Sequence, residues 1–321
     1  MQVFDTNEVH RLLDYPSLVA ALRAAHAADL MPLSRSSVMG EPPEEANKFV
    51  SLVAWAAGDV IAVKLVGVFP SNLALAPPEP SVQGLVALFQ GTTGRPVMVA
   101  DGAAMTFRKT AADSALGADY LARRDAEVLL VVGAGGLAPH VALAHTAVRP
   151  SLREILIWNR TAARAEDTAT SLVAGGLPAR AVTDLDAAVA RADIISCVTM
   201  STEPLVKGAL LKPGAHVDLI GAYLPEMREA DDDVARRARV FVDTRNGCDH
   251  SGEIAEPIAR GLLTLEGIEA DLFDLCTGRH AGRSSPNEIT MYKNVGGAHL
   301  DLFTARHLGA LATAAPHSVV P

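Results

Sequence analysis

The pattern of apolar and polar residues changes along the chain, and each change predicts a different class of element. Up to about residue 30 the apolar positions follow helical spacing, with Thr6 as the predicted N-cap of one helix and Pro16 suited to the first turn of the next. Between residues 48 and 101 the pattern predicts strands at 49–55, 60–69, 82–90 and 96–100, with a loop at 70–80 and a hairpin loop at 91–94. The pattern over the first hundred residues therefore predicts helices followed by a β-rich region.

A second pattern, in which short apolar runs alternate with helical stretches, extends from residue 128 to residue 243. Strands are predicted at 128–132, 155–158, 194–198, 216–220 and 240–242, and helices at 137–148 and 162–173. Such alternation is typical of a parallel, doubly wound sheet. Helical spacing returns at 296–311, and the tail after it shows no pattern. We therefore predict an α/β protein with a Rossmann domain at 123–289 and a discontinuous β-rich domain at 1–122 plus 290–321.

The strand predicted at 128–132 runs directly into a glycine-rich turn, Gly133-x-Gly135-x-x-Ala138. In dinucleotide-binding sheets the first glycine permits the turn and the second leaves room for a pyrophosphate, while the small third residue lets the helix pack on the strand. The helix N-terminus then offers N–H donors to the phosphates. The motif alone is weak, but its place between a strand and a helix predicts dinucleotide binding.

The residues after the second strand of this domain bear on which dinucleotide is bound. NAD-binding domains usually place a carboxylate there, on the ribose hydroxyls. This chain instead has Asn159-Arg160-Thr161, which can hold a 2′-phosphate. The alternative is that Arg160 is a solvated surface residue and Thr161 caps the next helix. Because the acid is absent, the sequence favours NADP over NAD.

Composition excludes several classes of partner. The 321-residue chain has a formal net charge of −9 and no lysine- or arginine-rich run, so nucleic acid and anionic membranes are poor partners. No apolar stretch approaches the ~20 residues of a membrane helix, and the acidic N-terminus does not resemble a signal peptide. Cys197, Cys248 and Cys276 fit neither a disulfide framework nor a zinc site. We expect a cytoplasmic protein without a metal, in which Cys197 is a small buried thiol.

Cations in the β-rich region indicate a site for an anion. Lys64 lies in a strand that is apolar on both faces, so its ammonium must be paired or its pKa must fall; a snorkelling edge lysine is the alternative. Arg108 and Lys109 follow Thr106, which is predicted to cap a helix extending to about residue 122. In a first turn the helix dipole disfavours both cations, and a bound carboxylate or phosphate would compensate. A surface position for one of the two is the alternative. Arg35 is predicted to be a loop cation.

Together these segments resemble the ornithine cyclodeaminase/mu-crystallin family over nearly the whole chain. The matching pieces are Arg35 after Pro32, Lys64 in its strand, Asp101-Gly102, residues 105–112, the glycine turn, residues 157–161, Gly221-Ala222 with Pro225, Arg228-Glu229 and residues 293–296. The resemblance implies that a substrate carboxylate is held by Arg35, Lys64 and the basic residue directly before Thr110. The family usually has arginine there; this chain has Lys109, with Arg108 beside it, so either of the two could be the contact.

The segment from Gly221 to Pro225 resembles one branch of the family. Ornithine cyclodeaminases carry an aspartate two residues before the proline, whereas this chain has Tyr223, and a phenol cannot replace a carboxylate as a base near neutral pH. The segment looks like that of the Δ1-pyrroline-2-carboxylate reductases. This implies NAD(P)H-dependent reduction of a cyclic ketimine carboxylate, giving L-proline or L-pipecolate, with Lys64 as a catalytic residue and Tyr223 at the substrate. Alternatives are ornithine cyclodeamination, an alanine dehydrogenase-like activity and a non-catalytic ligand binder.

The resemblance also implies a cofactor site and an assembly. The residues expected at the cofactor are Thr110, Gly133, Gly135, Gly136, Leu137, Ala138, Asn159, Arg160, Thr161, Thr199, Met200, Ser201, Asn294 and Gly296. The stretch from Trp158 to Thr161 looks like that of mu-crystallin, which implies a preference for NADPH. Family members typically dimerise through the β-rich domain, so we expect a homodimer in which this domain also binds the substrate.

Overall fold

The computed structural model describes residues 1–42 and 46–314, which form two compact units. Unit 1 contains Met1–Lys109 and the segment that begins at Gly297, and unit 2 contains Thr110–Gly296. The chain thus passes from one unit to the other between Lys109 and Thr110 and again between Gly296 and Gly297. The predicted boundaries placed residues 110–122 and 290–296 in the β-rich domain, whereas the structure places both segments in unit 2. The roles assigned to the two domains stay predictions.

Unit 1, over its described residues, is a six-stranded sheet with helices on one face. Its strands are β1 (Gln2–Phe4), β2 (Leu33–Gly40), β3 (Lys48–Trp55), β4 (Val60–Val68), β5 (Val82–Gln90) and β6 (Pro96–Asp101). Its helices are α1 (Thr6–Leu12), α2 (Tyr15–Ala27), the first part of α3 (Gly102–Leu121) and α10 (Ala298–Ala314), labelled in chain order. The strand order is β1-β6-β5-β4-β3-β2, in which β1 is parallel to β6 and the other neighbours are antiparallel.

The faces of this sheet differ because side chains alternate along each strand. On one face α10 packs against β3, β4 and β5, and Ala62, Val86 and Met98 are buried there. On the opposite face apolar side chains stay partly exposed, among them Trp55, which is 46% exposed. An antiparallel sheet with one covered face normally has a polar outer face. The apolar outer face of unit 1 is therefore unusual.

Four predictions about unit 1 need correction or addition. Asp5, rather than Thr6, caps α1, and its carboxylate forms a capping box with Glu8. Arg35 lies in β2 and not in a loop; β2 was missed because four successive polar residues, 34–37, interrupt its apolar pattern, as suits an exposed edge strand. The predicted loop at 70–80 contains a short 3-10 helix at Pro70–Ala74, and the short strand β1 was not predicted. The part of the predicted tail beyond residue 314 lies outside the described residues.

Unit 2 is a parallel sheet of eight strands in its described residues, which confirms the predicted doubly wound fold. The strands are β7 (Val128–Val132), β8 (Glu154–Trp158), β9 (Ala179–Val182), β10 (Ile194–Cys197), β11 (His216–Leu219), β12 (Ala238–Val242), β13 (Ile268–Ala270) and β14 (Ile289–Lys293). The helices, besides the rest of α3, are α4 (Ala138–Val148), α5 (Ala162–Ala174), α6 (Leu185–Arg191), α7 (Asp232–Arg237), α8 (Gly252–Ala259) and α9 (Leu272–Thr277). The strand order is β13-β12-β14-β11-β10-β7-β8-β9.

This order reverses direction at β7, which has β8 on one side and β10 on the other. Ligands of such sheets bind at the carboxyl ends of the strands beside this switch point. Three strands of this sheet, β9, β13 and β14, were not predicted. Of these, β14 lies inside the sheet, between β11 and β12. Cys197 is fully buried, as predicted. Within the described ranges, the chain has no helix both long and apolar enough to cross a bilayer.

Candidate functional site

Two lysines and one aspartate form a buried ionic cluster in unit 1. Lys64 comes from β4, Lys109 from α3 and Asp301 from α10, and each side chain is at most 10% exposed. Lys109 Nζ lies 2.7 Å from Asp301 Oδ1, and Lys64 Nζ lies 3.7 Å from the same oxygen. Two ammonium groups thus share one carboxylate. Among the described residues, one positive charge of this cluster has no counter-ion.

Thr106 connects Lys64 to the start of α3. Lys64 Nζ donates a hydrogen bond to Thr106 Oγ1 (2.7 Å), and this hydroxyl donates to the carbonyl of Gly102 (2.6 Å). The helix begins at Gly102, where the Asp101 carboxylate accepts a hydrogen bond from the N–H of Ala104 (2.7 Å). The prediction that Thr106 caps this helix is therefore wrong. It is an interior residue of the first turns whose hydroxyl orients Lys64.

Arg108 and Lys109 are neighbours on α3 but have different surroundings. Arg108 Nη2 donates to the carbonyl of His10 (2.8 Å), Nε donates to Nδ1 of the same residue (3.1 Å), and the guanidinium lies 4.6 Å from the centre of the Tyr15 ring. Lys109 pairs with Asp301. Because the helix begins at residue 102, both cations lie in its second turn, so the predicted conflict with the helix dipole is wrong. Of the two, Lys109 belongs to the ionic cluster.

Burial sets the protonation of the cluster. Burial lowers the pKa of Lys64, the Asp301 carboxylate raises it and the nearby Lys109 ammonium lowers it, which together leave the pKa at about 8. Lys64 therefore carries its proton at neutral pH but holds it less firmly than an exposed lysine does.

A cavity of about 150 Å³ opens beside Lys64. A Cβ on Gly102 would lie only 2.6 Å from the backbone carbon of Gly84, so glycine lets α3 begin directly against β5. The lining residues are Lys64, Val66, Val82, Gln83, Gly84, Gly102, Ala103, Thr106 and Phe107. Engineered apolar cavities of about this size bind benzene, so the space suits one small ring.

Arg35 is not brought to this cluster in the described structure. In the sheet register Arg35 lies opposite Val53, which in turn lies opposite Val63. Val63 and Lys64 are successive residues and point to opposite faces, so Arg35 and Lys64 also belong to opposite faces. Arg35 is exposed, and its guanidinium donates to the carbonyl of Ser34 (2.9 Å).

In unit 2 a cavity of about 330 Å³ lies at the carboxyl ends of β7, β8 and β10. Its lining residues are Gly133, Ala134, Gly135, Trp158, Asn159, Arg160, Arg164, Val198, Thr199, Met200, Ser201 and Leu205. Seven of the predicted cofactor residues are among them. The position at the switch point of a parallel sheet is the usual one for a dinucleotide.

The glycine turn in this cavity fits a pyrophosphate. Gly133 has φ +115°, and a Cβ there would lie 2.9 Å from the Val198 side chain, so no other residue suits the position. A Cβ on Gly135 would meet nothing within 4 Å, which leaves its backbone open to a ligand. Leu137, the N-cap of α4, has no polar side chain to satisfy the first N–H groups of the helix. A phosphate can accept these hydrogen bonds.

The segment that follows β8, together with the start of α5, places two arginines at the same cavity. Asn159 Nδ2 donates to the carbonyl of Thr161 (3.0 Å). Thr161 is the N-cap of α5, but its hydroxyl makes no capping hydrogen bond within the described chain. Among the described lining residues two are arginines, Arg160 and Arg164, and none is acidic. Arg164 was not predicted, because it lies in a helix rather than at the strand tip.

Glu229 joins the two loops that follow β10 and β11. Its Oε1 accepts hydrogen bonds from Thr199 N–H (2.6 Å) and Thr199 Oγ1 (2.9 Å), and its Oε2 accepts one from Gly221 N–H (2.7 Å). A Cβ on Gly221 would overlap the carbonyl of Thr199, so the two loops touch. Burial raises the pKa of Glu229, which is fully buried. From the sequence, Glu229 was identified only as part of a segment that matches the family.

Thr110, Asn294 and Gly296, three predicted cofactor residues, lie in one region of unit 2. Asn294 Nδ2 donates to the carbonyl of Thr110 and to Ser114 Oγ, both at 3.1 Å. Gly296 has φ +75°, and its N–H donates to Asp243 Oδ2 (2.7 Å). Burial raises the pKa of Asp243 to about 6. Asp243, which was not predicted, therefore holds the turn that carries Asn294.

Tyr223 lies in the loop after β11, and its side chain is 57% exposed. Next to it, the Ser251 hydroxyl donates to the carbonyl of Ala222 (2.6 Å), which holds the backbone of this loop. Over the described ranges, no group of three or more His, Cys, Asp or Glu residues could hold a metal ion.

Comparison with known proteins identifies the family. The sequence model of the ornithine cyclodeaminase/mu-crystallin family matches residues 17–311. A Δ1-pyrroline-2-carboxylate reductase of Paracoccus denitrificans (strain Pd 1222) is 41% identical over 297 residues, which cover 92% of each chain. The solved structure of Thermococcus litoralis Δ1-pyrroline-2-carboxylate reductase in complex with NADH and L-proline has a TM-score of 0.90 at 25% identity and covers 98% of each chain. The iminosuccinate reductase of Paracoccus denitrificans in complex with NAD+ has a TM-score of 0.86 at 28% identity, covering 98% of this chain and 97% of that one. The chain belongs to the ornithine cyclodeaminase/mu-crystallin family.

Proposed function

We propose that this protein reduces a cyclic ketimine carboxylate with NAD(P)H, converting Δ1-pyrroline-2-carboxylate to L-proline. The observation that carries the proposal is the cluster of Lys64, Lys109 and Asp301, which holds two ammonium groups against one carboxylate beside a small cavity. A carboxylate ligand would supply the missing negative charge. The name of the 41% identical relative supports the same reaction.

The residues of the cluster suit this reaction. Lys109, with Asp301 as its neighbour, is a fixed cation that would hold the substrate carboxylate, and Lys64 is close enough to share it. A bound reduced nicotinamide supplies the hydride that the imine carbon accepts. Lys64 would give its proton to the imine nitrogen, because burial makes its ammonium more acidic than that of an exposed lysine. Arg35 and Tyr223 stay predicted substrate contacts.

A spectrophotometric assay tests the proposed reaction. We expect oxidation of NADPH or NADH, followed at 340 nm, when Δ1-pyrroline-2-carboxylate is added, and L-proline as the product. The six-membered homologue, Δ1-piperideine-2-carboxylate, tests how narrow the ring specificity is. Deamination of ornithine with release of ammonia, in the absence of imine reduction, would show that the proposal is wrong.

We further propose that NADP(H) is preferred over NAD(H). Arg160 and Arg164 line the cofactor cavity in the absence of an acidic lining residue among those described, and a 2′-phosphate is the group that such a pair recognises. A hydrogen bond to a charged group contributes about 1.5–3 kcal/mol, so we expect each arginine to favour NADPH by about tenfold or more. The kcat/KM ratio for the two cofactors measures this. An Arg160→Ala/Arg164→Ala variant that keeps the wild-type ratio would contradict it.

The homodimer is also a proposal, and the outer face of the unit 1 sheet supports it. Leu33 (71% exposed) lies opposite Trp55 (46% exposed), which lies opposite Ile61, and the register continues to Phe89. A contiguous apolar row of this kind marks a protein interface. We propose that a second copy of the chain covers this face.

A further inference from the structure

The carboxylate of Asp301 lies closer to Lys109 than to Lys64. Its Oδ1 lies 2.7 Å from Lys109 Nζ, a close ion pair, but 3.7 Å from Lys64 Nζ. Lys64 has a second partner, the hydroxyl of Thr106 at 2.7 Å, which is neutral. The side chain of Asp301 is only 3% exposed, so water screens these interactions weakly. The difference of 1 Å in distance therefore matters for which ammonium is the more strongly stabilised.

We propose that Asp301 is a positioning residue that assigns different tasks to the two lysines. Paired with Lys109, it keeps that ammonium as the permanent anchor for the substrate carboxylate, and it leaves Lys64 as the group that protonates the imine nitrogen. This inference rests on the reaction proposed above. Asp301 acts through the lysines and needs no contact with the substrate.

The proposed step is balanced. Lys64 breaks one N–H bond of its ammonium and the imine nitrogen gains that proton, while the adjacent carbon gains the hydride of the reduced nicotinamide. The C=N bond becomes a CH–NH unit, so the imine is reduced by two electrons and the nicotinamide is oxidised by two. Lys64 is left as a neutral amine and recovers its proton from water.

Within the described part of the chain, two charged groups, Lys109 and Asp301, act on Lys64. The residues that lie opposite it in the sheet, Leu52 on β3 and Val86 on β5, are apolar. The helices contribute Lys109 from α3 and Asp301 from α10. His299, also on α10, is kept neutral because burial lowers its pKa well below the usual range.

The signs of the expected shifts follow from these groups. The Asp301 carboxylate raises the pKa of Lys64 and the Lys109 ammonium lowers it. Removal of the carboxylate charge must therefore lower the pKa of Lys64, and removal of the Lys109 charge must raise it. A purely structural role of Asp301 predicts no such pair of opposite shifts.

The first test is the pH profile of kcat/KM for Δ1-pyrroline-2-carboxylate, which reports groups of the free enzyme. Asp301→Asn should move the alkaline limb to lower pH by about 1 unit or more, the usual effect of losing an opposite charge. Asp301→Glu, which keeps the charge, should return the limb toward the wild-type position. The imine's own titration is common to all variants and cancels in the comparison. Asp59→Asn is the matched control, because Asp59 pairs with Arg306 of the same helix α10 at the surface.

The second test measures the pH at which Lys64 loses its proton, in the absence of turnover. The rate at which acetic anhydride modifies Lys64 in the cofactor-free protein is followed against pH by peptide mass spectrometry. The wild-type midpoint should lie near 8, the Asp301→Asn midpoint lower and the Lys109→Met midpoint higher. An unchanged midpoint in Asp301→Asn, or shifts of both variants in one direction, would overturn the proposal. If Asp301→Asn does not fold, Asp301→Ser, which also removes the carboxylate charge, takes its place in both tests.

The two tests separate this inference from the proposed function. A wild-type protein that reduces the imine but shows unmoved midpoints in the variants would overturn the role of Asp301 alone. A wild-type protein that fails to reduce the imine would overturn the proposed function, and with it the task given to Lys64, whatever the midpoints do.

Discussion

At the scale of single residues, burial determines what the cations of unit 1 can do. Lys64 and Lys109 are each at most a tenth exposed, and a buried ammonium is costly unless it is paired. Exposed ion pairs contribute at most about 1 kcal/mol, so the same lysines at the surface would say little about function. Because one carboxylate serves both, the cluster is more favourable with an anion bound.

The first prediction concerns Lys64. We expect Lys64→Ala to lower kcat/KM for the imine by about 100-fold or more, since the variant loses both a carboxylate contact and a proton donor. The affinity for NADPH, measured by fluorescence titration, should stay within about twofold. Lys48→Ala, at an exposed position of β3, is the matched control and should behave as wild type. A loss of NADPH affinity in Lys64→Ala would contradict the assignment to the substrate.

The second prediction separates Arg108 from Lys109. We expect Lys109→Met to raise KM for the imine by about tenfold or more, because a charged contact is lost. Arg108→Met should instead lower the thermal midpoint, since it removes the contacts to His10 and Tyr15, and should leave KM within about twofold. Steady-state kinetics and thermal unfolding of both variants measure this difference. A larger change of KM in Arg108→Met would reverse the assignment.

At the scale of elements, the loops after β10 and β11 depend on a single carboxylate. Glu229 accepts hydrogen bonds from Thr199 and Gly221, one residue in each loop. Thr199 also lines the cofactor cavity. The shape of that cavity is therefore set in part by a residue that does not line it.

The third prediction tests this link. In Glu229→Gln one oxygen becomes an NH2 group, which cannot accept a hydrogen bond from a backbone N–H. We expect the Kd for NADPH to rise by about tenfold, with faster hydrogen exchange in residues 198–202. Glu226→Gln, at an exposed position in the same segment, provides the control. Unchanged exchange together with unchanged affinity would show that the loops do not need Glu229.

The sequence predicted the elements whose pattern is local. The glycine turn lies where the motif placed it, because a strand, a turn and a helix follow each other directly. β14 was missed, since its five residues include Thr290 and the fully buried Lys293, whose ammonium donates to the carbonyls of Leu219 and Ile220. These partners are distant in sequence. Asp301 was missed for a similar reason: the helix was predicted, but nothing local tells that its carboxylate faces β4.

At the scale of the whole molecule, the outer face of the unit 1 sheet is the proposed dimer interface. The fourth prediction is that Trp55→Glu gives a monomer in size-exclusion chromatography with light scattering, because a charge on this apolar face opposes its burial. Leu265→Glu, at a 45% exposed position in unit 2, should keep the mass of the wild type. If wild type and both variants all run as monomers, or all as dimers, this face is not the interface.

The order of strands in unit 2 has a consequence for how the chain is made. β12 and β13 join the rest of the sheet only through β14, which is synthesised after both. Likewise, the apolar residues of β3, β4 and β5 in unit 1 stay uncovered until α10, near the end of the chain, has been synthesised. A ribosome that stops before residue 289 would therefore release a polypeptide in which neither core is complete. Such products expose apolar surface and are substrates for chaperones and proteases, so both units can complete their cores only late in translation.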